Sequence, residues 1–126
     1  MDFRKQIVNQ INECISTLLW LDFDVMYYNG YRMIISGGID EAEPPKMLIA
    51  FDEVSFYSGR TSWKSEPSES VLSIVEGDEE AEIRKRFDVE YRHAIFKFIP
   101  AEAFAEEPGF YIAAEKIFYM ISPTIK

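Results

Sequence analysis

One histidine, one cysteine and 22 carboxylates are the groups in this chain that could carry covalent or metal chemistry. A Ser-His-Asp or Cys-His nucleophilic site would have to use His93. Its sequence surroundings, Glu90, Tyr91, Ile95 and Lys97, read as a strand with Tyr91 and Ile95 on its side, and no Gly-x-Ser-x-Gly elbow occurs anywhere in the chain. A partly exposed strand histidine is the commoner meaning of such a residue. Cys14 and His93 stand 79 positions apart, which removes the usual zinc spacings. Asp22, Asp24, Asp52 and Glu53 could in principle hold a hard divalent cation. The run Asp40-Glu41-Ala42-Glu43 lacks the glycine and the twelfth-position Glu of a calcium loop. Asp52 and Glu53 are adjacent on a strand and point to opposite faces, so they cannot share one glycosidase cleft. Phosphate-binding glycine loops are missing too. No catalytic residue, metal or cofactor is therefore expected.

What remains is a surface. The segment Tyr57-Ser-Gly-Arg60-Thr-Ser-Trp63-Lys64 gathers Tyr, Arg and Trp, the types enriched at binding hot spots. Trp63 in such a stretch either faces a partner or folds back to plug the end of a sheet. Trp63, Tyr57, Arg60, Lys64 and Glu66 are the candidate partner-binding residues, with Asp40, Glu41, Glu43 and Glu69 as an acidic rim.

Charge says what kind of partner. Thirteen Lys and Arg against 22 Asp and Glu leave a net charge of −9 in 126 residues. That field repels phosphate backbones and anionic lipid, so neither nucleic acid nor membrane is expected, while a basic protein is favoured. The same charge also serves solubility. A lone cysteine suits a reducing compartment. The opening residues hold no apolar core of signal-peptide length, and no run approaches a membrane span, so a cytoplasmic location is expected.

The elements that would position this surface can be read from periodicity. Phe3, Ile7, Ile11, Cys14, Ile15 and Leu18 recur at helical spacing behind a capping Asp2, predicting a helix over 2 to about 19. Cys14 lies in that stripe, as a buried inert thiol would. From Asp22 the period becomes two. Runs 22–28 and 31–36 flank Asn29-Gly30, the preferred pair of a two-residue hairpin, with Tyr28 then opposite Tyr31, Met26 opposite Met33, and Val25 opposite Ile34. Further strands are predicted at 47–57, 71–76, 90–99 and 110–122. A short helix over 77–87 has its acids first and bases last, with Ile83 and Phe87 apolar. Residues 58–70 read as irregular, and 100–107 as an Ala/Glu-rich connection before the Pro108-Gly109 turn. Ile49–Phe56 and Ile112–Tyr119 look alike, each an apolar run broken by a charged pair, and such a break can bulge a long strand. The whole is a single domain, 1–126, of the α+β class. An N-terminal helix packs on a curved antiparallel sheet of about six strands, with a partly closed barrel as a variant and one short internal helix.

The run Phe51-Asp-Glu-Val-Ser-Phe-Tyr-Ser-Gly-Arg-Thr-Ser-Trp63, with the Asn29-Gly30 hairpin before it, resembles small acidic bacterial proteins that include polymorphic-toxin immunity families. The resemblance implies a non-catalytic protein that binds and blocks a toxin, and it carries no active-site residue. Two other readings stay open. One is a small-ligand or enzymatic pocket in the curved sheet using His93 or Asp24. The other is a structural or weak homodimer through a second apolar face of Met26, Tyr28, Tyr31 and Met33.

Overall fold

The computed structural model describes residues 2–40, 42–67, 70–101 and 110–122. The predicted features at Glu41, Glu69, 102–107 and Pro108-Gly109 lie outside them.

The first helix, α1, spans Phe3–Ile15, and the Asp2 carboxylate accepts the Arg4 backbone N–H at its start. It stops short of the expected position 19 because Ser16 closes the last turn, its backbone N–H and its hydroxyl both donating to the Glu13 carbonyl. Val8, Ile11 and Ile15 are buried. Phe3, expected in the same stripe, stands exposed, because the stripe meets the core only from Ile7 onward.

Seven strands follow: β1 Leu21–Tyr28, β2 Arg32–Gly38, β3 Met47–Ser58, β4 Ser62–Ser65, β5 Leu72–Ile74, β6 Ala94–Phe98 and β7 Phe110–Ile121. A second helix, α2, runs Gly77–Phe87 between β5 and β6. The fold is α+β. The strands form one antiparallel sheet in the order β4-β1-β2-β3-β7-β6-β5, curled into a half-barrel. The chain leaving β6 reaches back to the far edge: the Ala101 N–H donates to the Lys64 carbonyl, and the buried Ser65 hydroxyl to the Ile99 carbonyl, both at 2.8 Å. The helix α1 braces the other edge. Asn12 donates to the Leu72 carbonyl at 2.8 Å and accepts the Val71 and Leu72 N–H groups. No helix among the described residues is long and apolar enough to cross a membrane.

The strand absent from the sequence reading is β4. Its Ser-Trp-Lys-Ser alternation was hidden in a Ser/Gly/Pro-rich stretch, yet Trp63 and Ser65 point inward and it pairs with β1. The hairpin register also differs. Tyr28 pairs with Met33 and Tyr27 with Ile34, because the turn is centred on Gly30-Tyr31 and not on Asn29-Gly30. The Asn29 side chain accepts the N–H groups of Tyr31 and Arg32, and its own N–H donates to Arg32. Only Gly30, at φ 89°, then needs positive φ. The partner of Tyr28 moves by two residues, from Tyr31 to Met33, which by itself keeps each side chain on its face; the bulge at Met26 then sets Val25 opposite Ile35 and exchanges the faces between the two ends of β1. Met33 and Ile35 thereby enter the core.

The inner face carries that core. Phe23, Trp63, Phe98 and Phe110 pack ring on ring with centroids 5.0–5.6 Å apart, and Phe51 packs on Phe96 at 5.0 Å. The two look-alike segments pair with each other at the centre of the sheet, Ile49 with Tyr119 and Asp52 with Lys116. The expected bulge occurs in β3 alone: Glu53 takes φ 56° and Ser55 is the unpaired extra residue. Beyond it, on the outer face, α2 covers a second small core of Ile83, Val75, Val89, Ile95 and Ala113, edged by Phe56 and Tyr111.

Candidate functional site: an acidic groove beside an uncovered sheet face

His93 lies in the turn ahead of β6 and not on the strand itself, and it is only 4% exposed. The bulge in β3 brings Ser55 to it, with Oγ 2.7 Å from Nδ1. Its Nε2 is buried with no hydrogen-bond partner among the described residues. Burial, and then the charge of Arg92, hold the imidazole pKa below its ordinary 6.5, so the ring is neutral at neutral pH. A nucleophilic serine needs the far imidazole nitrogen held by a carboxylate. The carboxylates nearby are engaged elsewhere. Glu53 and Glu115 accept from Arg92 Nη1 at 2.9 and 2.6 Å, and Glu90 from its Nε at 2.6 Å. The Glu115 side chain and then Arg92 lower the pKa of Glu53, while Glu53 and Glu90 raise that of Arg92. This knot ties the bulge to the turn before β6. Asp52 is paired with Arg32 in a two-point contact at 2.6 and 2.8 Å, which lowers its pKa. Asp22 and Asp24 sit on β1, apart from both. Among the described residues no three His, Cys, Asp or Glu side chains stand close enough to hold a metal.

The segment Tyr57–Lys64 divides between core and surface. Trp63 is 5% exposed and belongs to the core, so it offers no face to a partner. Gly59 permits the inward course of the chain: its φ is 147°, and a Cβ there would come within 2.5 Å of the Phe110 ring. The Tyr57 ring packs against the core and its hydroxyl donates to the Arg60 carbonyl. Arg60, Lys64 and Glu66 keep to the surface. Lys64 lies opposite Asp22 across β4–β1, with its Nζ 5.9 Å from the centroid of the Trp20 ring.

These pairings add Asp22 and Asp24 to the surface of Arg60 and Lys64 and its acidic rim. Asp22 and Asp24 share the outer face of β1, and the loop after β2 brings Asp40 and Glu43 alongside. With Arg60 and Lys64 they line an open groove of about 570 Å³. Four carboxylates thus stand against two lining cations, with Lys46 a third at 3.7 Å from Glu43. Asp24 does reach a concavity, but an open one on the outer face and not a chamber within the curved sheet. Glu66 is not among the residues that line it.

The groove opens onto the rest of the outer face. One cross-strand row runs Ser62–Asp24–Ser36–Leu48–Met120, the next Tyr27–Ile34–Ala50–Phe118, and the last Arg32–Asp52–Lys116. Tyr27 and Phe118 are each 47% exposed and Met120 68%, and no described residue covers them. The apolar face expected from Met26, Tyr28, Tyr31 and Met33 does not form as a unit, because the bulge at Met26 turns Met33 to the buried face of Phe23 and Val25 while the other three stay exposed. Compared with known proteins, the chain matches no family model, no curated protein and no solved structure. The resemblance to immunity proteins rests on its quoted residues alone.

Proposed function

We propose that this chain is a non-catalytic, cytoplasmic protein-binding domain that masks a basic partner in the manner of a toxin-immunity protein. The observation that carries the reading is the groove, in which Asp22, Asp24, Asp40 and Glu43 converge from two segments of a chain of net charge −9. Opposite charge accelerates encounter and discriminates against wrong partners. The free thiol of Cys14, set in the packed stripe of α1, accords with a reducing compartment. The test is capture by the immobilised chain at about 50 mM and about 500 mM salt, where screening shortens from more than 10 Å to a few ångströms. A basic protein held at low salt, released at high salt and lost to Asp22→Lys/Asp24→Lys is the expected result. Retention of no basic protein by the wild type, or indifference to the charge reversal, refutes the proposal.

A further inference from the structure

We infer that the basic partner seats on the uncovered half of the outer sheet face, with Tyr27, Ile34, Phe118 and Met120 as the apolar centre and the groove carboxylates as one rim. This rests on the protein-binding reading above and adds where, and by what chemistry, the partner is held.

Continuity is the first argument. The Asp24–Ser36–Leu48–Met120 row joins a groove carboxylate to the apolar centre through hydrogen-bonded neighbours on one face. A ligand resting in the groove therefore already touches the edge of the apolar patch. Size is the second. Four strands about 4.8 Å apart, over the roughly 13 Å from the Asp52 row to the Leu48 row, give a face of about 250 Å² at most. That falls well below the roughly 800 Å² per partner of a stable interface. A symmetric dimer built on this patch alone would be weak, and it would bring together two chains of net charge −9. A partner that covers patch and groove together approaches the standard size.

Charge completes the argument. At the far end of the patch, Arg32 is held by Asp52 and Lys116 stands across from that carboxylate, so that end carries no negative excess. The groove end presents four carboxylates to three cations, Arg60, Lys64 and the Lys46 that pairs with Glu43, and keeps a net negative charge. The face thus favours a partner whose own apolar spot is flanked by Lys or Arg on one side. Desolvated apolar anchors give such interfaces most of their hold, and the charged rim sets rate and selectivity.

The test places the photo-reactive residue p-benzoylphenylalanine singly at Met120, Tyr27, Ser62 and, as a control on α2, Glu82, in the chain expressed in its own host. All four positions are exposed, and unchanged melting curves would verify the fold. On irradiation, Met120 and Tyr27 should give an adduct with one basic protein, and Glu82 none. Asp22→Lys/Asp24→Lys should lower that yield at least five-fold. An adduct with the same basic protein from Ser62 but not from Met120 or Tyr27 would overturn the inference and leave the protein-binding reading standing. An adduct of twice the chain's mass would make the occupant a second copy and overturn the inference. No adduct at any position would remove both.

Discussion

The outer face of the sheet has two halves of similar make-up and opposite treatment. Past the β3 bulge, Phe56, Ile95, Ala113 and Tyr111 lie beneath α2, and Phe56 stacks on Phe87 with centroids 4.4 Å apart. Before the bulge, Tyr27, Ile34, Leu48, Ala50, Phe118 and Met120 occupy the corresponding positions, and no described residue lies over them. The covered half is also fastened by polar contacts. Arg84 of α2 donates to the carbonyls of Glu90 and His93, while Glu79 accepts from Lys97 and Tyr111; burial, and then the Glu79 contact, push the Tyr111 pKa up to about 12. Apolar residues on a sheet face thus call for a cover. This chain supplies one for half of the face, and the other half is where an external cover fits.

The largest expected effect sets the scale for both halves. Trp63→Ala removes a ring shared by Phe23, Phe98 and Phe110 and should cost about 3–5 kcal/mol by chemical denaturation. A loss under 1 kcal/mol would return Trp63 to the surface role the sequence allowed it. Next comes the cover itself. Ile83→Ala leaves a gap between α2 and the sheet and should cost about 2–4 kcal/mol. If it cost nothing, α2 would be an ornament and the two halves would not differ.

How far this contrast could be read in advance depended on the range of the interactions. The helix α2 was legible because its signals are local: acids in the first turn, bases in the last, Ile83 and Phe87 one turn apart. The bulge was legible as a charged pair interrupting an apolar strand. The hairpin was legible as an element but not in register, since the Asn29 side chain took the N–H groups that a turn centred one residue earlier would have left to the backbone. Of the two roles the sequence left to Trp63, burial matches the plug, and its strand went unread because polar neighbours masked a four-residue alternation. The groove was legible in part: Arg60 and Lys64 were read with Asp40 and Glu43 as their rim, whereas Asp22 and Asp24 join them only through the pairing of β1 with β4 and β2. The Ser55–His93 contact spans 38 residues and exists through the bulge.

The boundary between the halves carries the third prediction. His93 sits beside the bulge as a buried neutral ring, faced by Arg92, Glu90, Glu115 and Glu53. Its pKa is lowered in the folded chain, so the unfolded chain binds its proton first as pH falls below 6.5. Stability should therefore decline between pH 7 and 5, by at most about 1.4 kcal/mol per pH unit for one proton, and level off below the folded pKa. Asp52, Glu53 and Glu79 have lowered pKa values, so they lose their contribution only in a more acidic window, below about pH 4.5. His93→Gln keeps a polar group for Ser55 and should flatten the decline between pH 7 and 5. Urea midpoints at pH 7.5, 6.5 and 5.5 decide it, and parallel curves for both proteins would show that the ring is not the titrating group.

The smallest effect makes the sharpest test of the comparison. Phe118 and Phe56 lie on the same face, on paired strands, one without cover and one against Phe87. Phe118→Thr keeps a residue suited to strands and should change stability by no more than about 0.5 kcal/mol. The same replacement at Phe56 removes a stacked ring from beneath α2 and should cost at least about 1 kcal/mol more. The two variants differ only in whether the chain covers the ring. Equal losses would mean that Phe118 is as fully packed as Phe56, and the uncovered face would cease to exist. Unequal losses in the stated order would leave Phe118 as an aromatic residue that contributes little to folding, in the row beside the one that joins the acidic groove.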